Sequence, residues 1–396
     1  MTWEKVKFSD LIDKIENGSR PKGGVDESGD IPSIGAEHLN DQGSFDFSKI
    51  KKISNDFFNK LNSGRINQDD IILVKDGATT GKVSYVDKSF PFKEASINEH
   101  VFCIRVNQEK LNSKYAFYYL FSEYGQREIL LDFHGATVGG ISKGFSDKVG
   151  IPLPPLSTQL HIASILDHAN NLRQLNKQLL QKYDELAQSV FLEMFGDLVK
   201  NEKGWKTIRL SDCIEFLTSG SRGWAKYYTE KTGDVFLRIN NVGRNRLLLD
   251  DIAYVNAPDN AESKRIKTKS GDVLLSITAD LGRTAVIPAD FPIAYINQHL
   301  ALIRVKQDLI NSFFLSAMIS NDFGQNQIKK VTKGGVKSGL NFNDIKGIEI
   351  RNPSLEIQNT FEKIIIGIED QRKSVIHNIE ICDNLFQSLM QHAFNN

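Results

Sequence analysis

The chain has 396 residues, 40% of them apolar and 25% charged, with 49 basic residues against 49 acidic ones; this is the composition of an ordinary globular protein with room for two or three domains, each with a core of its own. Zero net charge excludes a uniformly basic chain but leaves local basic clusters to be sought, because phosphate binding depends on where Lys and Arg gather. Cys103, Cys213 and Cys382 are far apart and odd in number, which excludes a disulfide framework or zinc ligand spacing, and with no apolar signal core in MTWEKVKFSD and no eighteen-residue apolar run the expectation is a soluble, cytoplasmic protein.

In chain order, residues 1–152 carry short β-type runs, IILV from Ile71 and VFCIRV from Val101, then a helical stretch YAFYYLFSEYGQREILL from Tyr115, with glycine-bearing turns between them. A proline-rich lead-in, PLPPLSTQ, opens residues 153–197, which are otherwise free of proline and read as one long helix. Residues 198–352 return to the first pattern, with VLLSI from Val273, LALIRV from Leu300 and the helical FFLSAMIS from Phe313. A second lead-in, NPSLEIQ, begins a second long helix in residues 353–396, and Ser157 or Ser354 is placed to cap the first turn of its helix.

The halves repeat each other at a spacing of about 200 residues, a pattern that decides the fold wherever it occurs. WEKVKFSDLIDKIENGSR from Trp3 aligns without gaps on WKTIRLSDCIEFLTSGSR from Trp205, pairing Gly18, Ser19 and Arg20 with Gly220, Ser221 and Arg222. QDDIILVKDGATTGKV resembles SGDVLLSITADLGRTA, and SINEHVFCIRV resembles YINQHLALIRV, which pairs Asn98, His100 and Arg105 with Asn297, His299 and Arg304. From Pro154 to Phe195 a single offset aligns the segment with Pro353 to Phe394, which implies a rigid element. The chain therefore reads as module, helix, module, helix, each module a mixed α+β globule.

At 1.5 Å per residue the two helices reach about 50–60 Å, and a 150-residue globule has a radius of gyration near 15 Å, so the helices are expected to protrude. In the second, Phe361, Ile365, Ile368, Val375, Ile379, Cys382, Phe386 and Leu389 form a heptad seam broken only by Arg372. In the first, Ile165, Leu172, Leu179 and Leu186 recur at strict sevens, with Leu166, Leu175, Leu180, Tyr183 and Val190 widening the stripe. Protruding apolar stripes need a partner, so the helices are expected to pair as an antiparallel coiled coil with one module at each end.

The lead-in IPLPPLSTQLHIASILD (151–167), the helix ending SVFLEMFGD (189–197), the WxxxxxxD opening of each half and the GD(I/V)(I/L)L strand motif followed by a glycine turn resemble, in order and spacing, the specificity subunits of type I restriction-modification systems. The resemblance covers essentially the whole chain. It implies an α+β fold in which two similar target recognition domains, each reading one half of a split DNA sequence, are separated by two antiparallel spacer helices in a pseudo-two-fold repeat. The helices would fix the distance between half-sites and dock two methyltransferase subunits, with restriction subunits joining that core. It also implies no cofactor in this chain: S-adenosylmethionine would sit on the methyltransferase subunits, and ATP and Mg2+ on the restriction subunits.

Phosphate contacts need Lys, Arg, hydroxyls and free N–H groups, and base readout needs Arg, Lys, Asn or Gln on protruding loops. In the first module such loops hold Ser19, Arg20 and Lys22, then Lys75, Thr79, Thr80 and Lys82, then Thr137, Ser142 and Lys143. In the second they hold Ser221, Arg222, Trp224, Lys226 and Tyr227, then Arg238, Asn240, Asn241, Arg244, Asn245 and Arg246, then Arg283, and finally Lys329, Lys330, Lys333 and Lys337. Trp224, Tyr227 and Tyr228 either pack internally or stack on sugars and bases. Half-sites one helical turn apart have centres roughly 34–36 Å apart, within the span of a 50–60 Å bar.

Catalytic motifs are absent. GATTGKVS (77–84) has one residue too few between its glycines for a phosphate loop, and Val83 stands where Ser or Thr should follow Lys82. PDNAESK (258–264) mimics a nuclease signature, but its acids are nearly adjacent on an expected loop. There is no NPP(Y/F) methylation motif, the eight histidines are scattered, and His100 and His299 read as structural. Two other readings stand beside the DNA-binding one: a coiled-coil scaffold carrying tandem protein-binding modules, and a self-sufficient methyltransferase with an unrecognised catalytic centre.

Overall fold

A computed structural model describes residues 3–22, 24, 29–135, 139–332 and 339–395. By internal contacts the chain forms two units, Met1–Lys177 with His377–Asn396, and Gln178–Ile376. Among the described residues no helix is long and apolar enough to cross a membrane.

The first unit is organised by an antiparallel sheet of four strands, β1 (Ile12–Asn17), β2 (Ile71–Val74), β3 (Val83–Tyr85) and β4 (Val101–Val106), in the spatial order β1-β4-β2-β3. The run IILV is uninterrupted because both faces of β2 are covered. Ile71 and Leu73 enter a core shared with helix α1 (Ser113–Phe121), whereas Ile72 and Val74 enter a second core on the other face. On β4, Phe102 and Ile104 face the first core and Val101 and Cys103 the second, as the two-residue period of a strand requires. The stretch from Tyr115 is not one helix. Ser122 is extended and its Oγ accepts from the Gly125 N–H at 3.2 Å, so it ends α1 and caps α2 (Glu123–Ile129).

The second unit repeats this plan with β5 (Ile214–Ser219), β6 (Val273–Ser276), β7 (Thr284–Val286) and β8 (Leu300–Val305) in the order β5-β8-β6-β7. Val273 and Leu275 face one core and Leu274 the other. Helices α4 (Ser312–Ser320) and α5 (Asp322–Thr332) meet at Asn321, whose Oδ1 accepts from the N–H groups of Phe323 and Gly324.

Each module is zipped shut by its own ends. Lys5–Lys7 pairs antiparallel with Gly150–Pro152, and Lys206–Arg209 with Glu349–Asn352. The long helices α3 (Leu156–Phe195) and α6 (Leu355–Phe394) start directly afterwards. A buried glutamine locks each start. Gln159 accepts from the Asn112 N–H and donates to the carbonyls of Lys110 and Pro154; Gln358 accepts from the Asn311 N–H and donates to Asn352 Oδ1 and the Pro353 carbonyl. Ser157 does not cap α3: it lies in the first turn, and the Pro155 carbonyl receives the N–H groups of Thr158 and Gln159.

In each unit a segment of α3 packs antiparallel on a segment of α6. In the first, Arg173 Nε donates to Asp383 Oδ1 with its guanidinium 4.4 Å from the Phe386 ring centre, and Asn176 approaches Cys382. In the second, Arg372 pairs with Asp184 at 2.9 Å, while Phe191 and Phe195 meet Phe361. On α6 the residues of the heptad seam face inward: Phe361, Ile365, Ile368, Val375 and Phe386 are buried, and Ile379, Cys382 and Leu389 half-buried. The strict-sevens stripe of α3 does not pair. Ile165, Leu172, Leu179 and Leu186 are 38–49% exposed. The inner face lies one position along and carries Ala163, Leu166 and Arg173 in the first unit, with Asp184, Ala187 and Phe191 in the second. Small and polar residues disguise that seam in the sequence.

Candidate nucleic-acid interface

The register of the first sheet pairs Asn17 with Phe102 and Val74 with Val101, so β1 ends, β2 ends and β4 begins at one edge of the sheet. Three loops therefore meet there. The Gly18-Ser19-Arg20 loop presses against the turn before β4 so closely that a Cβ on Gly18 would lie 2.1 Å from the Ile97 carbonyl oxygen and 2.2 Å from that of Asn98. Arg20 is thereby set against Glu99, with Nε 2.9 Å from Oε1. The β2–β3 loop adds Asp76, whose Oδ1 is 2.5 Å from His100 Nδ1, and Lys75, whose Nζ is 3.8 Å from Asp76 Oδ2. Gly140 bridges to Asp76 and Ile141 N–H donates to the Lys75 carbonyl, which brings in the third loop with Ser142 and Lys143.

The second module builds the same edge. Ser219 pairs with Ala301 and Ser276 with Leu300. A Cβ on Gly220 would lie 2.1 Å from the Asn297 carbonyl oxygen, and Ser221 bridges to Asn297. His299 is held by Thr278 Oγ1 at 2.7 Å where His100 is held by Asp76. Gln126 and Gln325 fasten equivalent β-turns by donating to the carbonyls of Gly81 and Gly282.

Away from these loops, buried ion pairs brace both sheets. Arg105 grips Asp70 with Nε and Nη2, and Arg304 grips Asp272 in the same way. Burial pushes the Cys103 thiol well up, and the adjacent Asp70 carboxylate adds to this. Burial also raises the Asp272 carboxyl despite its Arg304 partner. Burial opposes the charge on Glu16, but the Lys14 side chain, the Gly64 N–H and Arg105 bring its carboxyl below the usual range.

The sequence-derived candidates divide accordingly. Ser19, Arg20, Lys22, Thr79, Lys143, Arg222, Lys226, Asn240, Arg244, Lys329 and Lys330 have exposed positions, and Lys75, Ser221, Tyr227, Asn245 and Arg283 are partly exposed. Several are engaged within the protein: Thr80 Oγ1 closes its turn on the Gly77 carbonyl, Ser142 bonds Asp132, Lys82 pairs with Asp41, Arg238 with Asp251 and Arg283 with Asp280. Three expectations are corrected. Trp224 is 3% exposed and lies parallel to the Phe236 ring at 5.4 Å, so it packs and cannot stack on DNA. Asn241 is 1% exposed and its amide closes a loop by accepting from Arg238 N–H and donating to the carbonyls of Leu248 and Asp251. Arg246 turns to Asp184 on α3 at 2.9 Å and fastens the module to its helix. Thr137, Lys333 and Lys337 lie outside the described residues.

Sequence reasoning missed Arg265, Glu99 and Gln298. Arg265 donates to the Ser219 carbonyl and to Ser221 Oγ, holding the loop that carries Arg222. Glu99 and Gln298 stand between the paired Asn and His of the repeat, where the two copies differ.

The family model described as the type I restriction modification DNA specificity domain matches residues 1–183 and again 202–377. The MjaVIII type I restriction enzyme specificity subunit of Methanocaldococcus jannaschii is 23% identical over 388 residues, covering 93% of this chain and 86% of that protein. The type I restriction-modification S subunit from M. genitalium has the same fold, with a TM-score of 0.64 at 15% identity over 100% of this chain and 96% of that one. A chain solved in a study of complex assembly and conformational transition of the type I R-M system gives a TM-score of 0.55 at 17% identity, covering 99% of this chain and 97% of that one.

Proposed function

The chain belongs to the type I restriction-modification DNA specificity family, and from that premise we propose that it reads a bipartite DNA sequence, one half-site per module, and docks methyltransferase subunits through α3 and α6. The observation that carries the reading is the duplication of one loop-bearing sheet edge, with Gly18 and Gly220 seating equivalent Ser-Arg loops against equivalent turns. A repeated reading surface suits a split target. In this proposal the chain is not itself catalytic and works in the cytoplasm. S-adenosylmethionine belongs to the methyltransferase partners, and ATP and Mg2+ to the restriction subunits.

The test is to assemble the chain with methyltransferase subunits and map adenine methylation on random-sequence DNA. A motif of two short blocks separated by a fixed gap supports the reading. Methylation without a bipartite motif, or transfer of methyl groups by the chain alone, refutes it. Replacing Lys329 and Lys330 by Ala is expected to weaken binding to all sequences and to lower the log–log salt slope by about 1 per lysine. A titration over a salt series measures it.

The exposed leucines of α3 fit the docking role. Leu172 in the first unit and Leu186 in the second are 49% and 44% exposed on faces turned away from α6. Apolar side chains at a protein interface are worth more than on a free surface. Leu172→Glu or Leu186→Glu is expected to leave the melting profile of the free chain within about 0.5 kcal/mol of the parent, while weakening methyltransferase association about tenfold or more. Sedimentation of the mixed subunits reads both the complex and its loss.

A further inference from the structure

We propose that the residue following the paired asparagine, Glu99 in the first module and Gln298 in the second, selects the base pair each module reads beside its Ser-Arg loop: G·C for Arg20 with Glu99, and A·T for Arg222 with Gln298. The proposal rests on the DNA-reading function above and names a specificity determinant within it.

The two edges are the same scaffold. Gly18 and Gly220 meet the carbonyls of Ile97, Asn98 and Asn297 at matching distances. Asn98 Oδ1 accepts from the His100 N–H at 2.9 Å, and Asn297 Oδ1 from the His299 N–H at 3.1 Å. Between these fixed points the intervening side chain changes from a carboxylate to an amide. This position is one of the places where the two edges differ, beside Asp76 against Thr278, and the one where an acid is exchanged for its own amide.

A carboxylate facing DNA is repelled by phosphates, and its favourable partner is a base amino group, above all cytosine N4. The Glu99 carboxylate is incompletely used by the protein. Oε1 meets Arg20 Nε at 2.9 Å and lies 3.6 Å from His100 Nε2, while Oε2 is buried without a hydrogen-bond partner, so the carboxylate reaches a base when its side chain turns outward with Arg20. Arg20, Pro21, Lys22, Gly24 and Glu99 border an open hollow of about 610 Å³, room enough for the edge of a base pair. Arginine pairs with guanine O6 and N7. An arginine and a carboxylate side by side thus match the two partners of one G·C pair. Glutamine offers one acceptor and one donor group, the pattern that meets adenine N6 and N7. Gln298 Nε2 is 3.0 Å from His299 Nε2, so the second edge holds an amide where the first holds an acid.

The experiment compares the parent chain, Glu99→Gln and Gln298→Glu, each assembled with methyltransferase subunits, by sequencing methylated sites from a random library. In the parent a bipartite motif is expected. Glu99→Gln is expected to shift one position of one half-site from G·C towards A·T, with discrimination there falling on the order of tenfold or more and the other half-site unchanged. Gln298→Glu is expected to make the reverse change in the opposite half-site. A Glu99→Gln protein that melts like the parent and selects the same bases overturns the proposal, as does a uniform loss of affinity with no change of motif. Both leave the bipartite reading intact. Absence of a bipartite motif in the parent overturns that reading itself.

Discussion

On the proposed bipartite reading, Gly18→Val is expected to abolish selection of one half-site and to leave the other unchanged. The added Cβ would lie 2.1 Å from the Ile97 carbonyl oxygen, 2.2 Å from that of Asn98 and 2.4 Å from the Ile97 carbonyl carbon, where unstrained heavy atoms sit about 3.5–4.0 Å apart. All three atoms are backbone, so no side-chain rotation relieves the clash and the Ser-Arg loop must lift from the turn. Lifting it separates Arg20 from Glu99 and carries Ser19 away from the edge that Lys75 and His100 occupy. Each base pair no longer read loses about 1–3 kcal/mol of selectivity. Methylation mapping should return one defined block beside a degenerate one. Gly220→Val should erase the opposite block, because its Cβ meets the Asn297 carbonyl oxygen at the same 2.1 Å. Retention of both blocks in Gly18→Val would remove the loop from the recognition surface.

What the sequence made legible was what depends on periodicity and repetition. IILV and VLLSI read as strands because burial on both faces leaves no polar interruption, and the α6 seam reads cleanly because most of its inner positions are apolar. The α3 seam was legible only in part: Leu166, Tyr183 and Val190 of the widened stripe do face the cores. Its inner face holds Gln159, Arg173 and Asp184, which are satisfied by partners distant in sequence, whereas its apolar sevens face outward. Hydrophobic spacing identifies a stripe but not the direction in which it points.

The candidate interface was legible as a set of loops and not as a set of side chains. Trp224 and Asn241 carry the right functional groups, but the stacked Phe236 and tilted Tyr295 rings against the indole and three hydrogen bonds on the amide consume them. Besides Tyr227, the rings that bury Trp224 come from Phe236 and Tyr295, distant in sequence, so its burial is a tertiary fact. Glu99 escaped for the opposite reason. An acid-free basic pattern leaves out a carboxylate, and only the register of β1 against β4 reveals that Arg20 and Glu99 share an edge.

Phe195→Ala is expected to cost about 3–5 kcal/mol of stability. Phe195 is 1% exposed at the end of α3, and its ring centre lies 4.9 Å from Phe191, 4.7 Å from Phe314 and 5.2 Å from Phe361. These rings come from α3, α4 and α6, so one side chain fastens both long helices to the module core of the second unit. Truncation removes apolar area and leaves a cavity among rings held by separate elements, which cannot all close inward. Over a unit of this size that cost lowers the melting midpoint by about 6–20 °C. Because a chain with two units need not melt in one step, calorimetry should show the transition of the second unit moving while that of the first stays in place. Phe195→Leu, which keeps most of the volume, should cost about 1.5 kcal/mol or less. Phe394 holds the matching place in the first unit, 5.4 Å from both Tyr115 and Tyr119, so Phe394→Ala should move the other transition. A Phe195→Ala protein whose two transitions shift equally, or not at all, would show that the aromatic cluster is not what joins the helices to this module.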